Sequence, residues 1–269
     1  MRALERIQDW PVRHAAAGVV GWDESATVGD VDRVFPLASV TKPLAAYAAL
    51  VAVEEGAIEL DQPAGPPGST VRHLLAHTSG LAFDTTDVMA APGVRRIYSS
   101  AGFEVLADFV AEQTGIAFDE YLRQAVFEPL GMSSSVLVGS AGHAARSTVA
   151  DLLRFAAELL DPHLVSARTH TEATTVQFPG SNGVLPGFGS QRPNDWGLGF
   201  EIRDGKSPHW TGSANSPRTY GHFGQSGTFL WVDPEIRVAC VALSDENFGD
   251  WARREWPPFS DAVVAETTR

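Results

Sequence analysis

Apolar and polar positions follow one rhythm at the two ends of the chain and another in its middle. Arg2 to Asp9 has the spacing of a short helix, Ala16 to Trp22 is an apolar strand-like run, and Ala26 to Phe35 follows across a turn as its partner strand. From Thr41 to Glu55 the period becomes helical, in an Ala- and Leu-rich stretch that Gly56 stops. Val71 to Ala76, Phe103 to Gln113, Phe118 to Val126 and Val149 to Leu160 carry the helical signal onward. Pro179 to Asn194 loses periodicity and mixes Gly and Pro with Ser and Asn, which reads as an irregular surface segment. Short β-branched and aromatic runs return at Leu198 to Arg203, Thr219 to Phe223, Thr228 to Asp233 and Arg237 to Ser244, with Pro234-Glu235 turning the last hairpin. Asp250 to Val264 predicts a closing helix interrupted at Pro257-Pro258.

Strands at both ends around a helical middle predict an α+β fold, an antiparallel β-sheet flanked by terminal helices with a mainly helical region inserted. Residues 1–35 and 166–269 are then the sheet region, residues 36–165 the helical region, and an active site is expected between them.

Composition narrows the partners. A chain of 269 residues that is 44% hydrophobic can bury a core without metals or disulfides. Acidic residues outnumber basic ones by 33 to 20, a net charge of -13, which repels phosphate backbones and anionic lipid headgroups. Neither nucleic acid nor a membrane is an expected partner, and oligomeric state is left open. Met1 to Gly21 lacks the apolar core of an export signal, so the expected location is cytoplasmic. Cys240, in an apolar run, reads as a small core residue.

Candidate chemistry begins at Ser39, where an extended segment hands over to a helix, with Lys42 one turn further on the same face. A serine at a helix start gains backbone N–H groups that favour developing negative charge. A partly buried ammonium can lose its proton near neutral pH and act as base.

Three further segments give this pair a context. They are Leu74-Leu75-Ala76-His77-Thr78-Ser79-Gly80-Leu81, then Tyr98-Ser99-Ser100 with Phe127-Glu128-Pro129-Leu130-Gly131-Met132, and finally Gly221-His222-Phe223-Gly224-Gln225-Ser226-Gly227-Thr228. Together with Ser39-Val40-Thr41-Lys42 they resemble the serine β-lactamase and penicillin-binding-protein superfamily, in particular its class C, D-peptidase and esterase branch. The resemblance runs from about Val20 to Asp245 and includes Trp196-Gly197-Leu198-Gly199-Phe200.

By that resemblance the fold is β-lactamase/transpeptidase-like and the catalytic residues are Ser39, Lys42 and Tyr98, with the Tyr98 phenolate stabilised by Lys42. The backbone N–H groups of Ser39 and Gln225 form the oxyanion hole. Ser100, His222, Phe223 and Gly224 line the substrate, and no metal or cofactor is implied. His77 is read as structural. Ser100 stands where the family usually has Asn, His222 where a Lys often sits, and Phe223 where a Thr or Ser hydroxyl helps hold a substrate carboxylate. A mostly neutral imidazole and a phenyl ring suit a neutral ester or amide better than a penicillin carboxylate.

Other constellations fail on their own terms. Gly224-Gln225-Ser226-Gly227-Thr228 misses the last glycine of a nucleophile elbow and precedes a strand, so Ser226 reads as a strand residue near the site. His73 and His77 have helical spacing, but Leu74 occupies the place of a metalloprotease Glu. The expected function is therefore acyl transfer through Ser39 on a small-molecule ester, amide or β-lactam. A carboxylesterase or amidase is the first reading, a β-lactamase or D-alanyl-D-alanine carboxypeptidase-like peptidase the second, and a non-catalytic penicillin-binding or sensor module the third.

Overall fold

The computed structural model describes residues 1–21 and 25–268. Trp22, where the first predicted strand ends, lies outside the described residues. The chain opens with a one-turn helix α1 (Arg2–Glu5), strands β1 (Ala15–Gly21), β2 (Ser25–Val28) and β3 (Phe35–Pro36), and helix α2 (Thr41–Glu54). The middle holds α3 (Val71–Leu75), α4 (Ala101–Thr114), α5 (Phe118–Leu122), β4 (Val136–Leu137), β5 (Ala145–Ser147), α6 (Val149–Leu160) and α7 (Ala167–Ala173). The last third contains β6 (Gly183–Leu185), β7 (Gly189–Gln191), β8 (Glu201–Ile202), β9 (Tyr220–Gly224), β10 (Thr228–Asp233), β11 (Val238–Ser244) and helix α8 (Asp250–Thr267).

The main sheet has the order β2-β1-β11-β10-β9-β8 with antiparallel neighbours throughout, so strands from the two ends of the chain meet where β1 pairs β11. Its central strands are apolar on both faces because both faces are covered. Phe229, Trp231, Cys240 and Ala242 pack with Trp10 and with Trp256 and Phe259 of α8. Leu230, Val232, Val241 and Leu243 alternate with them and join the larger core on the opposite face, which includes α2 and α6. Among the described residues no helix is long and apolar enough to cross a membrane.

Four expectations need correction. The predicted second strand stops at Val28 because Gly29 adopts φ +80°, where a Cβ would overlap the Ala15 carbonyl. Phe35 belongs instead to a small sheet of order β3-β5-β4. The strand expected over Leu198 to Arg203 shrinks to β8, since Gly199 turns the chain at φ +86°. Pro179 to Asn194 is not irregular throughout but holds the hairpin β6–β7, and Leu185 of that hairpin is buried. Finally, α8 continues through Pro257 and Pro258. Their missing N–H groups release only the carbonyls of the exposed Arg253 and Arg254, where water replaces the donor, while Trp256 and Phe259 keep the buried face docked.

Helix α2 is buried along nearly its whole length, from Thr41 to Ala52, which its run of Ala, Leu and Val permits. It forms the central post of the fold and carries the Ser39–Lys42 segment at its start. Ala46 of α2 lies so close to Gly199 that a Cβ there would overlap the Ala46 side chain. Gly199→Ala combines that overlap with a left-handed backbone and should lower stability by about 2–4 kcal/mol in chemical denaturation. A change below about 0.5 kcal/mol would contradict this close packing.

Candidate active site

Strand β3 delivers the chain to a single 3₁₀ turn, Ala38–Val40, from which α2 starts. Ala38 sits at φ +45°, a conformation a non-glycine residue keeps only when its surroundings hold it there. The holding groups come from the β9–β10 turn. Ser226 Oγ donates to the Pro36 carbonyl at 2.7 Å and Thr228 Oγ1 to the Leu37 carbonyl at 2.9 Å. Gly224 leaves room for this approach, because a Cβ would overlap the Leu37 carbonyl.

The same turn carries Gln225, which is tied to Phe248 through both its side chain and its backbone carbonyl. Its Nε2 donates to the Phe248 carbonyl at 3.1 Å, and its own carbonyl accepts the Phe248 N–H at 2.8 Å. Ser39 and Gln225 line one cavity. Neither of their backbone N–H groups has a backbone acceptor among the described residues, so both are available to an oxygen placed there.

Lys42 is fully buried. Its Nζ donates to the Gly142 carbonyl at 2.8 Å and to Ser100 Oγ at 3.1 Å, and it lies 3.4 Å from Ser39 Oγ. Burial pushes its pKa down to about 7, against a raising influence from Glu104. Near neutral pH a large fraction of Lys42 is therefore an amine, whose lone pair can accept the Ser39 proton.

Tyr98 does not form the ion pair expected of it. Lys42 Nζ sits over the face of the ring, 4.6 Å from its centre. Burial raises the Tyr98 pKa, with hydrogen bonding to Ser39 in opposition, so the resting group is a neutral phenol. Its hydroxyl lies 3.3 Å from His222 Nε2. His222 Nδ1 is 2.6 Å from the Phe223 carbonyl and must donate to it, which leaves Nε2 as acceptor and Tyr98 as donor. Burial and the neighbouring Lys42 bring the His222 pKa down to about 3. This imidazole is neutral.

The cavity at Ser39 measures about 150 Å³ and is walled by Phe83, Tyr98, Leu185, Pro186, Trp196 and Phe223. At its floor lies Glu201, the one formally charged residue among its described lining residues. Both Glu201 oxygens are occupied: Lys206 Nζ donates at 2.6 Å, Trp210 Nε1 at 2.6 Å and His209 Nε2 at 3.0 Å. The Thr211 N–H donates to His209 Nδ1 at 3.1 Å, which places the histidine proton on Nε2, facing the carboxylate. Burial works against the Glu201 charge, but His209 and Lys206 outweigh it and hold its pKa at about 2.

The structure thus brings Ser39, Lys42, Tyr98, Ser100, His222 and Gln225 together. Ser100 faces Lys42, and Gly224 supplies close backbone approach rather than a cavity wall. Phe223 lines the cavity while packing 4.8 Å from the Phe248 ring. His77 is buried, with Nδ1 accepting the Ser99 N–H at 3.2 Å and its ring 4.7 Å from Tyr98, so it holds the Tyr98 loop. Leu185, Pro186 and the Gly142 carbonyl had no sequence signal, because their partners come from distant segments, and Glu201 had none because Lys206, His209 and Trp210 reach it from an irregular loop. Ser226 and Thr228 stood inside a recognised segment, but their tethering role depends on Pro36 and Leu37, some 190 residues earlier.

A serine and a lysine one turn apart at the foot of a buried helix, against the edge of an antiparallel sheet, define the fold class of serine β-lactamases and penicillin-binding proteins. The chain belongs to the Beta-lactamase family, whose model matches residues 8–265. A β-lactamase (Mb2281c) from Mycobacterium bovis has 62% sequence identity, a TM-score of 0.98, and a match covering 99% of this chain and 100% of that one. The D-alanyl-D-alanine-carboxypeptidase/endopeptidase AmpH of Escherichia coli (strain K12) is 25% identical over 45% of this chain and 41% of its own length. Esterase EstB of Burkholderia gladioli is 32% identical over 38% of this chain and 27% of its own. These matches to curated relatives span less than half of either protein.

Thr228→Val keeps the side-chain shape but removes the donor to the Leu37 carbonyl. It should destabilise the protein by about 1–3 kcal/mol in denaturant titration. An unchanged midpoint would mean that the tether does not hold the Ser39 segment.

Proposed function

We propose that the protein is a carboxylesterase or amidase that forms an acyl-enzyme on Ser39 and acts on small neutral substrates. The observation that carries this reading is the charge of the cavity. His222 is locked as a neutral imidazole by its bond to the Phe223 carbonyl, and the Glu201 carboxylate is already neutralised by Lys206. A substrate carboxylate placed there would lose its water without meeting a free cation among the described lining residues. The apolar walls instead favour an uncharged acyl or alkyl group.

In this mechanism neutral Lys42 accepts the Ser39 proton as Oγ attacks the substrate carbonyl. The oxyanion rests on the N–H groups of Ser39 and Gln225. Lys42, now protonated, has Gly142 and Ser100 as ready acceptors. Lys42 returns this proton to the leaving group through Tyr98, a phenol on Ser39 and His222 that gives up one proton as it takes the other, so that both groups end acylation as they began. Water then attacks the acyl-enzyme by the same route in reverse.

A second reading, β-lactam or D-peptide hydrolysis, is favoured by the descriptions of Mb2281c and AmpH. The two separate in one assay series. Short-chain p-nitrophenyl esters should be turned over and a chromogenic cephalosporin should not, with Ser39→Ala inactive on both. The ester kcat/KM should fall about tenfold per pH unit below about 7, where Lys42 is protonated, and level off above it. Cephalosporin turnover without ester turnover would replace the first reading by the second. A profile flat from pH 5 to about 8 would remove Lys42 as base.

A further inference from the structure

Beside the cavity at Ser39 lies a second, larger groove. This groove measures about 430 Å³ and is lined by Phe83, Ile97, Tyr98, Val184 and Pro186, with the exposed Arg95 at its rim. Phe83, Tyr98 and Pro186 belong to both spaces, so the groove adjoins the cavity that holds the nucleophile.

Two segments build its walls. The stretch from Phe83 to Tyr98 is laced back onto the motif around His77, with the Ile97 N–H donating to the His77 carbonyl at 2.8 Å and the Met89 N–H to the Gly80 carbonyl at 2.8 Å. The other wall is the β6–β7 hairpin, joined to the first by the pairing of Arg96 with Gly183. The Arg96 guanidinium points into the protein, donating to the carbonyls of Ala76, Gln177 and Asn194. It braces the wall and leaves the groove apolar.

Two of the exposed large hydrophobic side chains among the described residues, Phe83 and Val184, line this groove, and three more belong to the stretch that forms one of its walls. Phe83 is 54% exposed, Val184 59%, and Val88, Met89 and Val94 of the same stretch between 57% and 68%. Exposed apolar side chains lining a groove beside the nucleophile are what a binding surface presents. The inner cavity alone, at about 150 Å³, has the size that accepts a benzene-sized group. The reacting end of a substrate fits there, and whatever extends from it enters the groove.

We propose that the groove binds a long apolar chain of the substrate, so that the enzyme acts on neutral esters or amides carrying an extended alkyl chain. This rests on the Ser39 acyl-enzyme reading above and names the substrate class that the site takes. The net charge of -13 makes an anionic lipid surface a poor occupant of the same groove, whereas a neutral chain is indifferent to it.

The test separates binding from turnover. Ser39→Ala protein is titrated calorimetrically with two neutral series kept below their aggregation limits: alkyl butyrates of lengthening alcohol chain, and methyl esters of lengthening acyl chain. The intact protein is assayed on the same compounds. A fully buried methylene contributes about fourfold and a half-buried one about twofold. Affinity should thus rise roughly 60-fold between two and eight carbons in at least one series, and kcat/KM should rise with it.

Val184→Asp, at an exposed position that a polar side chain tolerates, should cut that rise below about tenfold. Phe83→Ser tests the junction of the two spaces with the same expectation. Affinity that is flat with chain length in both series, or a rise unaffected by both variants, overturns the proposal. Turnover that is equal for short and long chains, with flat binding, overturns the groove but leaves the Ser39 reaction standing. Length-dependent binding without hydrolysis of any ester supports the groove and overturns the reaction.

Discussion

The burial of the Lys42 ammonium is the constraint around which this site is built. An amine taken out of water loses its solvation and gives up its proton more readily, which is why its pKa falls to about 7. That works only where the protonated form still finds partners, and Gly142 and Ser100 supply them from two different loops. The lysine must also sit one turn from Ser39, which requires a helix that starts at the nucleophile and runs straight into the core. The Ala, Leu and Val composition of α2 permits that burial. The tight approach of Gly199 to Ala46, and the Ser226 and Thr228 bonds to the segment before Ser39, hold the start of the helix against the sheet.

The polar groups around this lysine are handled so that no further charge is left open in the cavity. His222 is held neutral by its backbone bond and by proximity to Lys42. Glu201 stays ionised but is paired with Lys206 and accepts from His209 and Trp210, so it offers the cavity neither an open charge nor a free acceptor. The aromatic cluster of His77, Tyr98, Phe103 and Trp196 packs behind the reacting groups and keeps the phenol oriented. The result is a small apolar space with a polarised serine at one wall. Such a space discriminates by charge and shape, and only weakly by specific hydrogen bonds.

Much of this arrangement was legible in the sequence, and the reasons differ by element. The Ser39-Val40-Thr41-Lys42 spacing puts both side chains on one helical face, but the pair stood out as a candidate site only through the resemblance carried by the further segments. The strands β9, β10 and β11 announced themselves through continuous β-branched and aromatic runs. The state of Tyr98 could not be read, because it depends on which part of the ring Lys42 meets. Glu201 was invisible for a similar reason: its partners lie in an irregular loop. The hairpin β6–β7 was hidden by its Gly and Pro content, although Leu185 and Pro186 form part of the cavity wall. Local pattern carried the elements, and long-range contact decided the chemistry.

The central claim is that Ser39 is a nucleophile activated by its surroundings. The most direct test is to treat the folded protein with a fluorophosphonate at pH 8, digest it and locate the adduct by mass spectrometry. A single adduct on the peptide containing Ser39, formed rapidly and absent in Ser39→Ala protein whose thermal transition is unchanged, is the predicted result. An adduct on another serine, or labelling that persists in the Ser39→Ala protein, would contradict the account.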